Sequence, residues 1–221
     1  MRRAAAACGI VGPIFLVIYF AAPAVTGWPY SGASPERLIS YATAHAGLFY
    51  AGAWFQVTGT VLSLAFYLAL LHAPGARTGF WGSVLLLTGG SLLAVVLVEA
   101  AFLVAVPIAA TAGDKATVAT SFALSNGVFV RVFPLAPASG TFIALGAILL
   151  GRPVLPRVFA TAALGLGAAF ELAGLLAIVS SIGLFVLIGL SVIQTLWTIA
   201  GAIAFAIYAT PPEASGAAAR S

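Results

Sequence analysis

Long apolar stretches separated by short polar turns run along the whole chain. A helix that crosses about 30 Å of hydrocarbon needs about 20 mostly apolar residues, because each residue adds about 1.5 Å. Six stretches meet or approach this length, at residues 5–25, 47–71, 79–106, 134–150, 158–178 and 183–208. They lack the strict alternation of apolar and polar residues that is typical of membrane β-barrel strands. The pattern predicts an all-α transmembrane bundle of six spans, formed by one domain over residues 1–210.

The composition agrees with a membrane protein. Hydrophobic residues make up 62% and charged residues 6% of the 221 positions, and the mean hydropathy is +1.16. This leaves too little polar surface for a soluble domain. The net charge of +4 does not indicate a nucleic-acid partner, because the basic residues are scattered at the ends of the apolar stretches. The single cysteine, Cys8, excludes an internal disulfide and gives no metal cluster, so no cofactor is expected.

The longest polar interval, residues 28–47, contains a helix start. Ser34, Pro35 and Glu36 follow one another as an N-cap residue, a first-turn proline and a first-turn acid. This order is typical of helix N-termini. We therefore expect a short interfacial helix, lying on the membrane surface, in the first outer loop.

Two segments allow two interpretations each. The chain begins with MRR and an apolar run, as a signal peptide does, but the run is longer than the usual h-region of about 7 to 15 residues. Because more spans follow, a retained first helix is favoured.

Residues 117–133 mix apolar and polar positions, and Pro134 and Pro137 follow. This pattern predicts either one long kinked helix over 117–150 or an interfacial mixed helix before a short span.

Arginine and lysine in short loops indicate the orientation of membrane helices, because cytoplasmic loops carry an excess of positive charge. Arg37 and Lys115 fall on one side, each beside an acid. The other side carries Arg2, Arg3, Arg77, Arg152, Arg157 and, on the tail, Arg220. This second side is expected to be the cytoplasmic side of a plasma membrane, so both termini lie in the cytoplasm. Residues 211–221 are expected to form a disordered cytoplasmic tail.

Four stretches of the chain carry a resemblance to a known family. They are SPERLISYATAHAGLFYAGAWFQ before and into the second span, LSNGVFVRVFPLAPASGTFIALGAILL around the fourth, RPVLPRVFATAALGLGA leading into the fifth, and LWTIAGAIAF in the last. With them the chain resembles uncharacterised six-helix bacterial membrane proteins, frequent in actinobacteria, that are grouped as a domain of unknown function. The resemblance implies the six-span layout, and it implies no activity and no functional residues.

Six polar residues within or beside the predicted spans need an explanation. They are Glu99, Arg131, Glu171, Gln56, Gln194 and His45. At a rise of about 1.5 Å per residue, the three charged residues lie in the outer half of the bundle and the two glutamines lie near its middle. The histidine lies at the outer mouth of the second span.

Charged side chains inside a membrane are expected to find partners. An unpaired charge in hydrocarbon costs about 2.5 to 3.5 kcal/mol on insertion scales, so such residues usually face the bundle interior. Arg131 is the one intramembrane cation in the sequence that both acids could use. We predict that Glu99 pairs with Arg131. Glu171 would then face a cavity, with Gln56 or Gln194 nearby. The alternative is that the ion pair ties two helices together and that Glu171 is hydrogen-bonded and inert.

The sequence favours a non-catalytic accessory or binding module with a polar pocket in the outer half of the bundle. A small transporter of an apolar or amphipathic solute, with Glu171 as its protonatable switch, is the main alternative. An intramembrane enzyme is disfavoured, because His45 and His72 are far apart in sequence and the chain has no GxSxG motif. The expected partners are the lipid bilayer and a small apolar ligand, a second membrane protein or a second copy of the chain.

Small residues recur at four-residue spacing in the fifth span, as at Ala163 and Gly167, and at Gly165 and Ala169. Such faces allow membrane helices to approach each other closely. Packing within one bundle is favoured over a dedicated dimer face.

Overall fold

A computed structural model of the chain describes residues 1–29, 33–73, 79–151, 154–180 and 183–208. Within these ranges the chain forms helices and no strand, so the predicted all-α bundle is confirmed. They are α1 (Arg2–Thr26), α2 (Pro35–Ala44), α3 (Ala46–Leu71), α4 (Phe80–Thr111), α5 (Lys115–Arg131), a π-helical segment (Pro134–Ser139), α6 (Gly140–Leu150), α7 (Arg157–Val179) and α8 (Gly183–Tyr208). The predicted tail at 211–221 lies outside the described residues, as do Arg77, Arg152 and Arg220.

Five of the described helices are long and apolar enough to cross a membrane, namely α1, α3, α4, α7 and α8. α5 passes the same test together with the π-helical segment and α6, from which it is bent by 42°. If Lys115–Arg131 and Pro134–Leu150 together form one broken span, the described residues contain six spans. If they form a re-entrant loop, the described residues contain five spans. The chain is therefore a multi-pass membrane protein, and the layout of six spans stays a prediction.

The bend after α5 follows from the sequence PLAP. Pro134 and Pro137 have no backbone N–H to continue the helical ladder, and Leu135 adopts non-helical angles of φ −65° and ψ −139°. The backbone makes a wider turn here, in which the N–H of Phe133 donates to the carbonyl oxygen of Val128. Such bonds over five residues are typical of π-helical bulges at kinks. The mixed segment is thus a helix that ends at a bend.

α2 begins where the sequence predicts. Ser34 is its N-cap, and the Ser34 hydroxyl accepts a hydrogen bond of 3.4 Å from the backbone N–H of Arg37, while Pro35 stands in the first turn. Glu36 and Lys115 form an ion pair of 3.0 Å between side chains that are 66% and 62% exposed. The pKa of Glu36 is lowered, first by a hydrogen bond to its own backbone N–H and then by Lys115. These contacts tie α2 to the start of α5.

α4 extends about one turn beyond its predicted end at residue 106. It continues through Pro107 to Thr111, because its last turns are covered by α2 and by the start of α5. The buried side chains in this contact include Leu38, Tyr41, Ala42, Val106, Ala109, Val118 and Phe122. We call this end of the bundle the α2 end and the opposite end, where α1 begins, the Arg2 end.

Asp114 caps α5 at the α2 end. Its carboxylate accepts hydrogen bonds from the hydroxyl and the backbone N–H of Thr117. These bonds lower the pKa of Asp114, the side-chain bond more than the backbone bond. An acid at this position also stabilises the positive end of the helix dipole.

α1 and α3 approach each other at two facing glycines. A Cβ built on Gly12 would lie 2.7 Å from the carbonyl oxygen of Gly59, and one built on Gly59 would lie 2.8 Å from that of Gly12. Membrane helices come this close where small residues meet. Tyr19 stands two turns beyond Gly12, and Gln56 stands one turn before Gly59. The close contact therefore holds these two polar side chains on facing helices.

The small-residue face predicted in the fifth span packs inside the bundle. Ala163 is fully buried, and a Cβ built on Gly167 would lie 2.8 Å from the carbonyl oxygen of Ser139. Gly165 lies on the opposite, exposed side, where an added Cβ would meet no described atom within 4 Å. The face formed by residues 163 and 167 thus packs α7 against the broken helix of the same chain.

Candidate ligand-binding site

The carboxyl group of Glu99 joins three helices. Glu99 lies on α4 and is 2% exposed. The Tyr19 hydroxyl on α1 donates a hydrogen bond of 2.9 Å to its Oε1, and Nε2 of Gln56 on α3 donates one of 2.7 Å to its Oε2. Both donors are neutral, and no cationic side chain of the described residues pairs with this carboxyl group. Because a carboxylate accepts about four hydrogen bonds, Glu99 retains lone pairs for a further partner.

The predicted ion pair between Glu99 and Arg131 is wrong. Arg131 is the last residue of α5, and its side chain is exposed. The buried side of α5 follows a helical stripe through Val118, Phe122 and Phe129. Two residues beyond Phe129 the helix has turned by about 200°. Arg131 therefore lies on the side of α5 that faces away from the interior.

Glu171 contacts the broken helix, and this corrects the predicted cavity with a glutamine nearby. It is half-buried on α7 and accepts a hydrogen bond of 2.6 Å from Oγ of Ser139 in the π-helical segment. The same hydroxyl lies 2.6 Å from the carbonyl oxygen of Leu135. A single hydroxyl hydrogen is thus shared between two acceptors. Glu171 holds the bend against α7, a contact that exists because the chain breaks at Pro134.

A cavity of about 250 Å³ lies beside Glu99, toward the α2 end. Its polar wall residues are Tyr19, Glu99, Ser125 and Asn126, and its apolar wall residues are Phe20, Ala22, Trp28, Leu48, Phe49, Gly52, Leu103, Phe129, Phe185 and Ile188. We call it the ligand cavity. Its volume is slightly below the range of about 300 to 1,000 Å³ of pockets for drug-sized ligands. It suits a small, mostly apolar molecule with a polar end.

A smaller cavity of about 30 Å³ continues from Glu99 toward the Arg2 end. Glu99, Phe20 and Phe129 line both cavities. The other polar residues of its wall are Gln56, Thr60, Ser63, Tyr67, Ser191 and Gln194. Of the predicted polar cluster, the structure thus brings Glu99, Gln56 and Gln194 to one cavity. Arg131 and Glu171 line neither.

Two buried oxygen atoms beside the small cavity accept no hydrogen bond from the described residues. They are Oε1 of Gln56 and Oε1 of Gln194, on residues that are 4% and 6% exposed. Further toward the Arg2 end, the hydroxyl groups of Tyr67 and Thr198 are hydrogen-bonded at 2.7 Å. A series of polar groups therefore runs through the apolar bundle from Glu99 to Tyr67.

His45 lies between α2 and α3, at the end of the second span where the sequence places it. Its Nδ1 donates a hydrogen bond of 3.1 Å to the carbonyl oxygen of Tyr41, and its ring stacks on the Tyr41 ring at 4.3 Å between centroids. His45 is also the C-cap of α2. Its contacts in the structure are those of a helix-end residue, and it is not one of the residues that line the ligand cavity.

Three polar residues of the ligand cavity, namely Tyr19, Ser125 and Asn126, are not among the residues predicted from the sequence. Tyr19 carried a signal, since a hydroxyl group inside an apolar span requires a hydrogen-bond partner. Ser125 lies on the buried stripe of α5, which the helical spacing from Phe122 and Phe129 indicates. The position of these residues around one cavity with Glu99 depends on how the helices pack, and no local pattern predicts it.

The described residues contain no group of three or more His, Cys, Asp or Glu side chains that could hold a metal ion. Comparisons of the chain with protein-family models, curated proteins and solved structures found no match.

Proposed function

We propose that the protein is a non-catalytic binding module that takes up a small amphipathic molecule from the membrane into the ligand cavity. The cavity combines an apolar wall with a buried carboxyl group that has hydrogen-bonding capacity left. The apolar body of the ligand packs on Phe20, Phe49 and Phe129, while a hydroxyl or amine group donates to Glu99. Small-molecule sites commonly combine an apolar lining with a few polar groups that fix orientation.

The ligand is a small molecule with one or two polar groups. At about 30 Å³ per water molecule of liquid, the cavity volume equals roughly eight water molecules. This is room for a short-chain alcohol or amine, or for the end of a lipid chain. Asn126 and Ser125 supply hydrogen-bonding groups for a second polar atom.

The ligand enters from the outer leaflet in the proposed topology. In this topology the protein lies in the plasma membrane and crosses it six times, with both termini in the cytoplasm, as the charge distribution predicts. The α2 end is then the outer end of the bundle. Phe185, which lines the cavity, is 65% exposed. It therefore forms part of the cavity rim on the lipid-facing side of α8.

A transporter is the second candidate function, and the broken helix after α5 favours it. Transporters often place their sites beside discontinuous helices that can change shape. Phe129 on α5 lines the ligand cavity, and the bend follows within two turns. Glu171, bonded to Ser139 in the bend, would act as the protonatable switch, with Glu99 at the binding site. Transport of the ligand across sealed vesicles would distinguish this candidate from a binding module.

Photolabelling with a diazirine analogue of octanol tests the proposed binding function. The probe has the required apolar body and a single hydroxyl group, and mass spectrometry maps its adducts in the purified full-length protein in nanodiscs. Gly52→Leu adds bulk to the cavity wall, since Gly52 lines the cavity and its added Cβ would touch the Tyr19 ring at 3.5 Å. Gly90→Leu is the matched control, because a Cβ there meets no described atom within 4 Å.

We expect adducts on the cavity wall, including Glu99, that excess octanol suppresses in the unmodified protein and in Gly90→Leu. Gly52→Leu should lose most of these adducts. The proposal is contradicted if the adducts lie on exposed residues such as Leu87 and Ile193, do not saturate, and are the same in both variants.

A further inference from the structure

We infer that the small cavity between Gln56 and Gln194 binds one sodium ion, through oxygen atoms of α3, α4 and α8. The two amide oxygens, the Glu99 carboxylate and the nearby hydroxyl oxygens form its ligands. This inference goes beyond the proposed binding function and does not depend on it, because the ion occupies the small cavity and the organic ligand occupies the large one.

The small cavity presents several hydrogen-bond acceptors, and three of the donors in its wall already have partners elsewhere. Nε2 of Gln56 donates to Glu99. The hydroxyl of Ser63 donates to the carbonyl oxygen of Gly59, and that of Ser191 donates to the carbonyl oxygen of its own helix four residues earlier, both at 2.8 Å. The lone pairs of these hydroxyl oxygens, together with Oε1 of both glutamines, stay available. Leaving a buried acceptor without a partner costs about 1 to 3 kcal/mol, so a species that satisfies several acceptors together is strongly favoured.

The charge of the site favours a monovalent cation. The partners of Glu99 among the described residues, Tyr19 and Gln56, are neutral, and Arg131 lies on the exposed side of α5. One carboxylate and one monovalent ion give a neutral pair, whereas a divalent ion would leave a net charge in the membrane interior. With a water molecule in place of the ion, a proton on Glu99 keeps the site neutral, so the sodium ion competes with that proton.

The size and chemistry of the cavity favour a small hard ion. The cavity of about 30 Å³ equals the volume of about one water molecule in the liquid, so it has room for one small ion and excludes organic ammonium groups. All the available ligand atoms are oxygens, which suit hard cations. Backbone and side-chain oxygens near the centre of the bilayer coordinate Na⁺ in several transporters. Because Glu99 lines both cavities, a bound ion also fixes the carboxylate that meets the organic ligand.

Thermal unfolding of the purified full-length protein in detergent tests the site. The protein is compared in NaCl, KCl and choline chloride of equal ionic strength. We expect NaCl to raise Tm by about 5 to 10 °C over choline chloride at a concentration about a hundred times the dissociation constant, with saturation. KCl should give less than half of this shift, because the cavity is small.

Three variants assign the shift to the small cavity. Gln194→Leu removes one unpartnered amide oxygen and leaves an apolar side chain of similar size, so it should fold and lose the Na⁺-dependent shift. Glu99→Gln should lose it too. Glu171→Gln, the matched control, should keep the shift because Glu171 does not line the cavity.

The inference is overturned if the unmodified protein has the same Tm in NaCl and choline chloride, which would mean that water alone fills the cavity. An equal shift in NaCl and KCl, or a shift that survives in Gln194→Leu, would overturn it as well. Its failure is distinguishable from failure of the binding function. Gly52→Leu should lose the photolabelling adducts in NaCl and in choline chloride alike. The rise of Tm in NaCl should be the same in Gly52→Leu as in the unmodified protein.

Discussion

The Tyr19 hydroxyl on α1 donates a hydrogen bond of 2.9 Å to Oε1 of Glu99 on α4. This bond crosses the bundle between the first and the fourth helix and lies at the wall that both cavities share. It also leaves the aromatic ring of Tyr19 on the surface of the ligand cavity. One residue thus orients the proposed binding carboxyl group and contacts the proposed ligand.

Tyr19→Phe should lower the free energy of unfolding by about 1 to 3 kcal/mol, because it leaves one carboxyl oxygen of Glu99 without its donor. Tyr50→Phe is the control, since Tyr50 is 46% exposed and lines neither cavity; its effect should stay within about 0.5 kcal/mol. Equilibrium unfolding in mixed micelles measures both. Equal effects of the two substitutions would argue against the hydrogen bond.

Gly12→Ala should be strongly destabilising because its new methyl group would lie 2.7 Å from the backbone oxygen of Gly59. Forcing the two helices apart is expected to cost about 1 to 3 kcal/mol. Gly90→Ala adds the same methyl group at an exposed helical position where it meets no described atom within 4 Å. It should be neutral or stabilising by up to about 1 kcal/mol, since alanine favours the helix. Thermal unfolding of the two variants separates packing from helix propensity; similar losses would contradict the close contact.

Ser139→Ala should loosen the bend after α5. The substitution removes the hydrogen bond to Glu171 and is expected to cost about 0.5 to 1.5 kcal/mol, the net value of a typical hydrogen bond, because Glu171 is only half-buried. Ser91→Ala is matched to it, because the Ser91 hydroxyl donates to the carbonyl oxygen of Leu87 on the same helix and is exposed. Hydrogen exchange of the backbone amides of residues 135, 136, 138 and 139 should rise in the first variant and not in the second. Unchanged exchange in Ser139→Ala would show that the bond does not hold the bend.

Acid should loosen the contact between α2 and α5. The folded-state pKa values of Glu36 and Asp114 are lowered, so each acid stabilises the fold above its ordinary pKa of about 4 and loses this contribution as the pH falls through the folded-state value. The effect should be small because both groups are exposed. Hydrogen exchange of α2, corrected for its intrinsic pH dependence, should increase below about pH 4. Glu36→Gln should show a weaker pH dependence; an identical one would rule out a contribution from the pair with Lys115.

The helices of the bundle could be predicted from the sequence because crossing a membrane imposes a minimum apolar length. The fifth span, predicted at 158–178, forms at Arg157–Val179. The start of α2 follows from the capping chemistry of Ser34 and Pro35, which acts within one turn. The end of α4 was predicted too early, since Pro107 stays within the helix under cover of α2.

The partners of the buried charges could not be predicted in the same way. Proximity in depth suggested Arg131 for Glu99, but the helical phase of α5 places this arginine on the exposed side. The bend at Pro134 brings Ser139 to Glu171, and the close packing of α1 on α3 brings Gln56 and Tyr19 to Glu99. Each of these contacts depends on relative positions of helices, which the sequence of any one helix does not determine.

Labelling with diisopropylcarbodiimide in sodium-free native membranes tests most directly that Glu99, and not Glu171, faces the ligand cavity. The reagent is small and apolar and reacts with protonated carboxyl groups. We predict an adduct on Glu99 that octanol and Gly52→Leu both suppress, and that Gly90→Leu leaves unchanged. A Glu171 adduct without one on Glu99, or a Glu99 adduct that neither octanol nor Gly52→Leu affects, would contradict the assignment of Glu99 to the binding site.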